Sequence, residues 1–254
     1  MPILAERGYV IPAIDTEDVD YLSCAIKLAQ SIRQWHPDAD ISVLTVRRCS
    51  DSVFNHVIPL PHGDLGGYAN DWQVFAASPY RQTIKLEADM LIASPIDHWW
   101  TMFEHRDVVV STGCRDFYDQ PATTRRYRKF IDDNQLPDVY NAITYWRLSA
   151  TARDFFNLVR SIFENWDEYK QLVKFPEDTP STDFVYAMAA QIIGPELITM
   201  PFASYPRIVH MKRHIIGTQT EDWTQELVWE QDPLRIQTVA QWGAFHYNIK
   251  DWLS

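Results

Sequence analysis

A chain of 254 residues, 46% of them hydrophobic, is long enough to bury one large core. Its net charge of -11 argues against a surface coated for nonspecific nucleic-acid binding, although a local basic patch is compatible with it. Three cysteines, Cys24, Cys49 and Cys114, have no metal-like spacing, and no run of ~18 apolar residues points to a membrane span. The composition predicts one domain over residues 1–254 without linker, repeat or secretion signal, in a reduced cytoplasmic setting.

The first predicted strand is Gly8 to Ile14, ending at Asp15. Thr16, Glu17 and Asp18 then suit a helix start, because a hydroxyl caps free N–H groups and acids favour the positive end of the dipole. Apolar residues from Tyr21 to Ile32 recur at helical spacing, His36-Pro37 stops the helix, and Ile41 to Val46 reads as a second buried strand. A strand, helix, strand unit implies a parallel sheet with a right-handed crossover. A loop from Pro59 to Gly67 and a short helix from Asn70 to Ser78 follow, before a central strand from Arg81 to Ile92.

That central strand carries Glu87-Ala88-Asp89. Strand side chains alternate with period two, so the two carboxylates would point the same way at the carboxyl edge of the sheet, where α/β proteins bind ligands. Two such acids suit Mg2+ or Mn2+, which take carboxylate and phosphate oxygens; they also suit a strand end that merely faces water.

Pro95 to Phe103 reads as helix and Asp107 to Ser111 as strand. Arg115 to Asp133 is a polar excursion holding Arg125, Arg126, Tyr127, Arg128 and Lys129, either a solvated face paired with Asp132 and Asp133 or an anion- or acceptor-binding patch. Tyr140 to Leu148 is a predicted strand, Ser149 starts an amphipathic helix through Phe163, and Ser181-Thr182-Asp183 opens another that runs from Phe184 to Ile193. Asp183 would then either stabilise the helix dipole or face the ligand edge. After Ile198 come short strands and turns, in which Pro206 to Lys212 and Gly243 to Trp252 each place His and Lys close together.

The order of these pieces, VIPAIDTEDVDY, IKLEADMLI, YNAITYW, TPSTDFVYA and FHYNIKDW, resembles the GT-A type nucleotide-sugar glycosyltransferases. It is most similar to the glycogenin and galactosyltransferase group known as family eight, and within it to glycosyltransferase-like proteins of large tailed bacteriophages, through the EADM, DHWW and VHMK stretches. The resemblance spans most of the chain. It implies a GT-A fold, an α/β architecture with a Rossmann-like, mixed, mostly parallel sheet flanked by helices.

On matching positions, the resemblance implies that Tyr21 stacks on the nucleotide base, bordered by Ala13, Ile14 and Asp15. Glu87 and Asp89 would hold Mn2+ or Mg2+ and the ribose or diphosphate side. A terminal histidine would complete the metal shell and a terminal lysine would neutralise the leaving diphosphate, with His246 and Lys250 preferred over His210 and Lys212. Asn141 and Asp183 would face the sugar and the reacting carbon. Two positions depart from the family pattern: Glu87 stands where Asp is usual, and the lysine of the helix before that strand is unmatched, since Asn70-Asp71-Trp72 occupies its region.

The implied activity is metal-dependent transfer from a nucleotide-diphosphate sugar, UDP-linked and with retention, to a hydroxyl. The phage resemblance adds hydroxymethylated pyrimidine in DNA as an acceptor, approached through Arg115, Arg125, Arg126, Tyr127 and Arg128, with Phe117 available to stack, in the host cytoplasm. A glycan or protein acceptor, a nucleotidyltransferase and a noncatalytic nucleotide-sugar-binding protein are the alternatives. PAIDTEDVDY is acidic and lacks the glycine-rich phosphate loop that a nucleotidyltransferase would want.

Overall fold

The computed structural model describes residues 3–115, 121, 127–200, 206, 208–211, 228–231, 234–237 and 244–247. In chain order the first elements are β1 (Ala5–Pro12), α1 (Tyr21–Trp35), β2 (Ile41–Leu44), β3 (His56–Ile58), a 3-10 stretch (Gly67–Gln73), α2 (Val74–Ala77) and β4 (Tyr80–Leu86). They continue with β5 (Met90–Ile92), α3 (His98–Phe103), β6 (Val108–Thr112), α4 (Arg128–Asp133), β7 (Val139–Arg147), α5 (Ala150–Glu164), α6 (Trp166–Leu172), α7 (Thr182–Ile193) and α8 (Pro195–Ile198). The last are β8 (Ile208–Met211), β9 (Val228–Gln231), β10 (Leu234–Gln237) and β11 (Ala244–Tyr247).

The central sheet has the order β3-β2-β1-β4-β7-β6. The first four strands are parallel, and β7 runs antiparallel to both β4 and β6. Both faces are covered, which is why the strands read as near-continuous apolar runs. Tyr9, Ile11, Ile84 and Leu86 pack on one face with α1 and α3, whereas Val10, Tyr80 and Trp146 pack on the other with α5 and α7. Gly8 is required where β1 passes β4: a Cβ there would lie 2.4 Å from the Tyr80 ring, whose hydroxyl bonds Ser42 at 2.6 Å.

Several expectations change in detail. The first helix starts at Tyr21, because Asp20 accepts from Ser23 N at 2.9 Å and so takes the cap expected of Thr16, whose own N–H closes a turn onto Val19 O. The stretch Asn70 to Ser78 splits into the 3-10 turn and α2. The Arg81 to Ile92 strand is broken: β4 ends at Leu86, and β5 leaves for a second sheet of order β5-β11-β8. Strand β3 and helix α6 had no counterpart in the sequence reading, being short and weakly periodic.

Candidate active site

The chain leaves β1 toward β2 on one side and returns in β4 on the other, so the carboxyl ends of β1 and β4 diverge around a crevice. A cleft of about 620 Å³ opens there. Its lining includes Ile14, Asp15 and Tyr21 from the β1 side, Glu87 and Asp89 beyond β4, and Asp183 at the start of α7.

Glu87 and Asp89 belong to the turn between β4 and β5 and not to a continuous strand. Glu87 N still bonds Ala142 O at 3.1 Å, the last tie to the central sheet, and Asp89 O accepts from Tyr247 N at 3.1 Å, the first tie to β11. The transfer between sheets turns both carboxylates toward His246, which faces Met90 across the β5–β11 ladder. His246 Nε2 lies 3.1 Å from Asp89 Oδ1 and 3.6 Å from Glu87 Oε2, and one ligand atom from each residue falls within 4.8 Å of the others. Behind the ring, Nδ1 shares a hydrogen bond with the Tyr140 hydroxyl, so the second nitrogen is fixed toward the acids.

The electrostatics agree with a cation site. Burial raises the Glu87 pKa, against the pull of Lys85 and His246, and the net direction is upward. Two carboxylates and one imidazole in a 4.8 Å cluster are a donor set that a divalent ion satisfies.

Tyr21 lies half-buried on the β1 side. Burial, then Asp89 and Glu87, push its phenol well above the usual tyrosine range, so it presents a neutral ring. Asp15 is tied down, accepting from Leu22 N at 3.1 Å and from Arg47 at 2.7 Å. Ala13 is fully buried, bonds Leu44 O through its N–H and is not among the residues that line the cleft.

On the opposite side, Asp183 sits in the first turn of α7 and accepts from Asn141 N at 2.8 Å. Asn141 itself corrects the sequence expectation: it is fully buried behind the cleft wall, its amide donating to Asp71 Oδ2 at 3.2 Å and accepting from Thr144 at 2.7 Å. The cause is a group that the sequence reading missed. Lys85, on the α7 face of β4 and fully buried, reaches Asp71 Oδ1 at 2.9 Å and Asn141 O at 2.9 Å. Tyr186 from α7 donates to Asp71 Oδ2. Burial alone would lower the Lys85 pKa, but Asp71, then Glu87 and Asp183, outweigh it and the net direction is upward. A lysine inside the buried run TIKLEAD was a signal that a buried acid had to exist elsewhere.

The remaining candidates scatter. His210 occupies the β8 position opposite His246, and its side chain lies outside the described residues, as do Lys212, Lys250, Arg125, Arg126 and Phe117. Arg115 bonds Ile208 O through its backbone, away from the residues that line the cleft. Tyr127 and Arg128 reach the cleft, but Tyr127 donates to Glu177 at 2.8 Å and Arg128 pairs with Asp132 at 2.9 Å and Asp138 at 2.5 Å. Of the two acids expected to pair with this face, Arg128 meets Asp132, and it lines the cleft as well.

No protein-family model and no curated protein matches the sequence. Solved structures match the fold. The galactosyltransferase LgtC, in complex with donor and acceptor sugar analogs, aligns over 94% of this chain and 86% of its own at 14% identity, with a TM-score of 0.52. Mouse xyloside xylosyltransferase 1, in its apo form, aligns over 97% and 98% at 10% identity, with a TM-score of 0.53. The bifunctional glycosyltransferase WbbM covers 95% of this chain with 45% of its own length at 10% identity, with a TM-score of 0.52. The fold is that of the GT-A glycosyltransferases. In this chain that GT-A fold brings the acid-x-acid turn and His246 together at the crevice, although they stand far apart in sequence.

Proposed function

We propose that this chain is a metal-dependent glycosyltransferase that moves a sugar from a nucleotide-diphosphate donor, UDP-linked, to a hydroxyl acceptor, with retention. The observation that carries the proposal is the convergence of Glu87, Asp89 and His246 at the carboxyl ends of β1 and β4, with Tyr21 on one side and Asp183 on the other. Among the described residues of the cleft, acids outnumber permanent cations, so an anionic diphosphate needs a cation to enter.

A divalent ion held by these three residues would stabilise the charge that grows on the leaving diphosphate. A mixed oxygen and nitrogen set suits Mn2+ better than Mg2+, which keeps to oxygen and water. Tyr140 orients His246, and Tyr21 offers a neutral aromatic face to the base. As the anomeric C–O bond breaks, the sugar becomes cation-like, and Asp183, held by Asn141 N, is placed to stabilise it or to trap it as a covalent intermediate. The electron pair of the broken bond leaves on the diphosphate, and the new C–O bond forms with the acceptor oxygen, whose proton passes to the departing diphosphate oxygen.

For the acceptor, hydroxymethylated pyrimidine in DNA rests on the phage resemblance and on Tyr127 and Arg128 at the cleft. The ion pairs of Arg128 weaken its pull on phosphate. The test is to incubate the protein, Mn2+ and a panel of nucleotide sugars with hydroxymethylcytosine DNA, glycan and protein acceptors, and read sugar increments by mass spectrometry. No transfer and no metal-dependent donor hydrolysis with any pair would overturn the enzyme reading. Transfer only to glycans or proteins would overturn the DNA acceptor alone. Asp89→Asn should abolish Mn2+-dependent donor binding in calorimetry while leaving the fold intact, since an amide is a poor ligand for a hard cation.

A further inference from the structure

We infer that the cleft takes a neutral sugar whose hydroxyl is read by Asp71, with Lys85 as a positioning residue beneath it, and that donors carrying a uronic acid are rejected. The inference rests on the nucleotide-sugar reading above. Contacts order the cleft. Asn141 donates its backbone N–H to Asp183 and its amide to Asp71, so these two acids stand together on the β7 and α7 side, and the next residue, Ala142, accepts from Glu87 N at 3.1 Å at the acid turn. Tyr21 lines the cleft from the start of α1, on the β1 side. With the base at Tyr21 and the diphosphate at the acid turn, the sugar end falls on Asp71 and Asp183.

Of the buried ion pair, only one member can touch a ligand there. The Lys85 side chain is 0% exposed and Asp71 is 11% exposed and lines the cleft. The ammonium holds Asp71 Oδ1 from behind, while Oδ2 accepts from Tyr186 and Asn141. A carboxylate oxygen can accept more than one hydrogen bond, Oδ1 belongs to a residue that lines the cleft, and a carboxylate accepts but does not donate. It therefore selects sugar hydroxyls, and a buried acceptor left unmatched discriminates strongly between donors. A sugar carboxylate would instead meet Asp71 and Asp183 with Lys85 already engaged, and like charges brought together in an interface disfavour the wrong partner.

The test is calorimetry of the full chain at saturating Mn2+ with UDP, UDP-glucose, UDP-galactose, UDP-glucuronate and UDP-galacturonate. A neutral sugar nucleotide should bind about tenfold or more tightly than its uronate counterpart. Asp71→Asn should weaken that neutral donor about tenfold, change UDP itself by less than about twofold, and narrow the gap to the uronate. Equal affinity for neutral and acidic donors in the parent overturns the inference, as does an Asp71→Asn effect that is equal on UDP and on the sugar nucleotide. If the parent binds none of the five, the donor reading falls and takes the inference with it; if it binds them and Asp71→Asn is indistinguishable from it, only the inference falls. Should Asp71→Asn fail to melt cooperatively, Tyr186→Phe, which removes one donor to Asp71 without changing charge, should weaken the sugar nucleotide but not UDP, and an unchanged ratio is the overturning result.

Discussion

Lys85 Nζ and Asp71 Oδ1 stand 2.9 Å apart beneath the cleft, and the lysine has no solvent exposure at all. Each ion left alone there would cost several kcal/mol, so the pair is held together by necessity. Lys85→Met should lower stability by about 3–5 kcal/mol in urea unfolding, because it strands Asp71. Adding Asp71→Leu should recover part of that loss, while Tyr186 and Asn141 still lack their former acceptor. A double variant no more stable than the single would show that the single variant fails for lack of lysine packing and not for an unpaired charge.

The same pair shows what the sequence could and could not disclose. The strand, helix, strand opening was legible because Tyr9 to Ile11 and Leu22 to Ile32 repeat at their own periods along contiguous residues. Glu87 and Asp89 were legible as a local pattern, and His246 through its cluster before Trp252. The reason the two acids converge was not, because it lies in the chain changing sheets after Leu86. The partnership of Lys85 with Asp71 crosses from β4 to the 3-10 stretch and leaves no periodic trace; that is also why Asn141 was expected at the sugar when its amide is committed behind the wall.

Tyr140 shares a hydrogen bond through its hydroxyl with His246 Nδ1 and so sets the orientation of the ring. Tyr140→Phe should therefore weaken Mn2+ binding about 10–100-fold, the effect usual for loss of an outer partner of a ligating histidine. The readout is the midpoint of a thermal-shift titration with Mn2+, since an ion bound only by the folded state raises the melting temperature by mass action. An unchanged midpoint would remove His246 from the metal shell or Tyr140 from its support; Asp89→Asn run beside it separates the two.

Gly8 tests the packing of the central sheet away from the site. Its Cα faces the Tyr80 ring, and a methyl group at 2.4–2.6 Å from three ring atoms cannot be accommodated without moving β1 or the tyrosine. The ring is itself pinned by the Ser42 hydrogen bond, so relief must come from the backbone. Gly8→Ala should cost about 1–3 kcal/mol or more in urea unfolding. Pairing it with Tyr80→Ala should make the two changes non-additive, because the second removes the obstacle to the first. Additive losses would mean that the close approach is not what requires glycine.

Asp183 separates a transition-state role from a capping role. Its Oδ1 accepts from Asn141 N across the gap between α7 and β7, and an asparagine oxygen can accept the same bond, so Asp183→Asn should keep the fold. What it removes is negative charge. If that charge stabilises the cation-like sugar, turnover should fall about 10²–10³-fold, while the dissociation constant of the donor with Mn2+ stays within about threefold. Single-turnover kinetics with calorimetry on the same preparation gives both numbers. A loss shared equally by binding and turnover would instead assign Asp183 to donor binding or to the start of α7, and the sugar-side chemistry would need another carboxylate from the cleft.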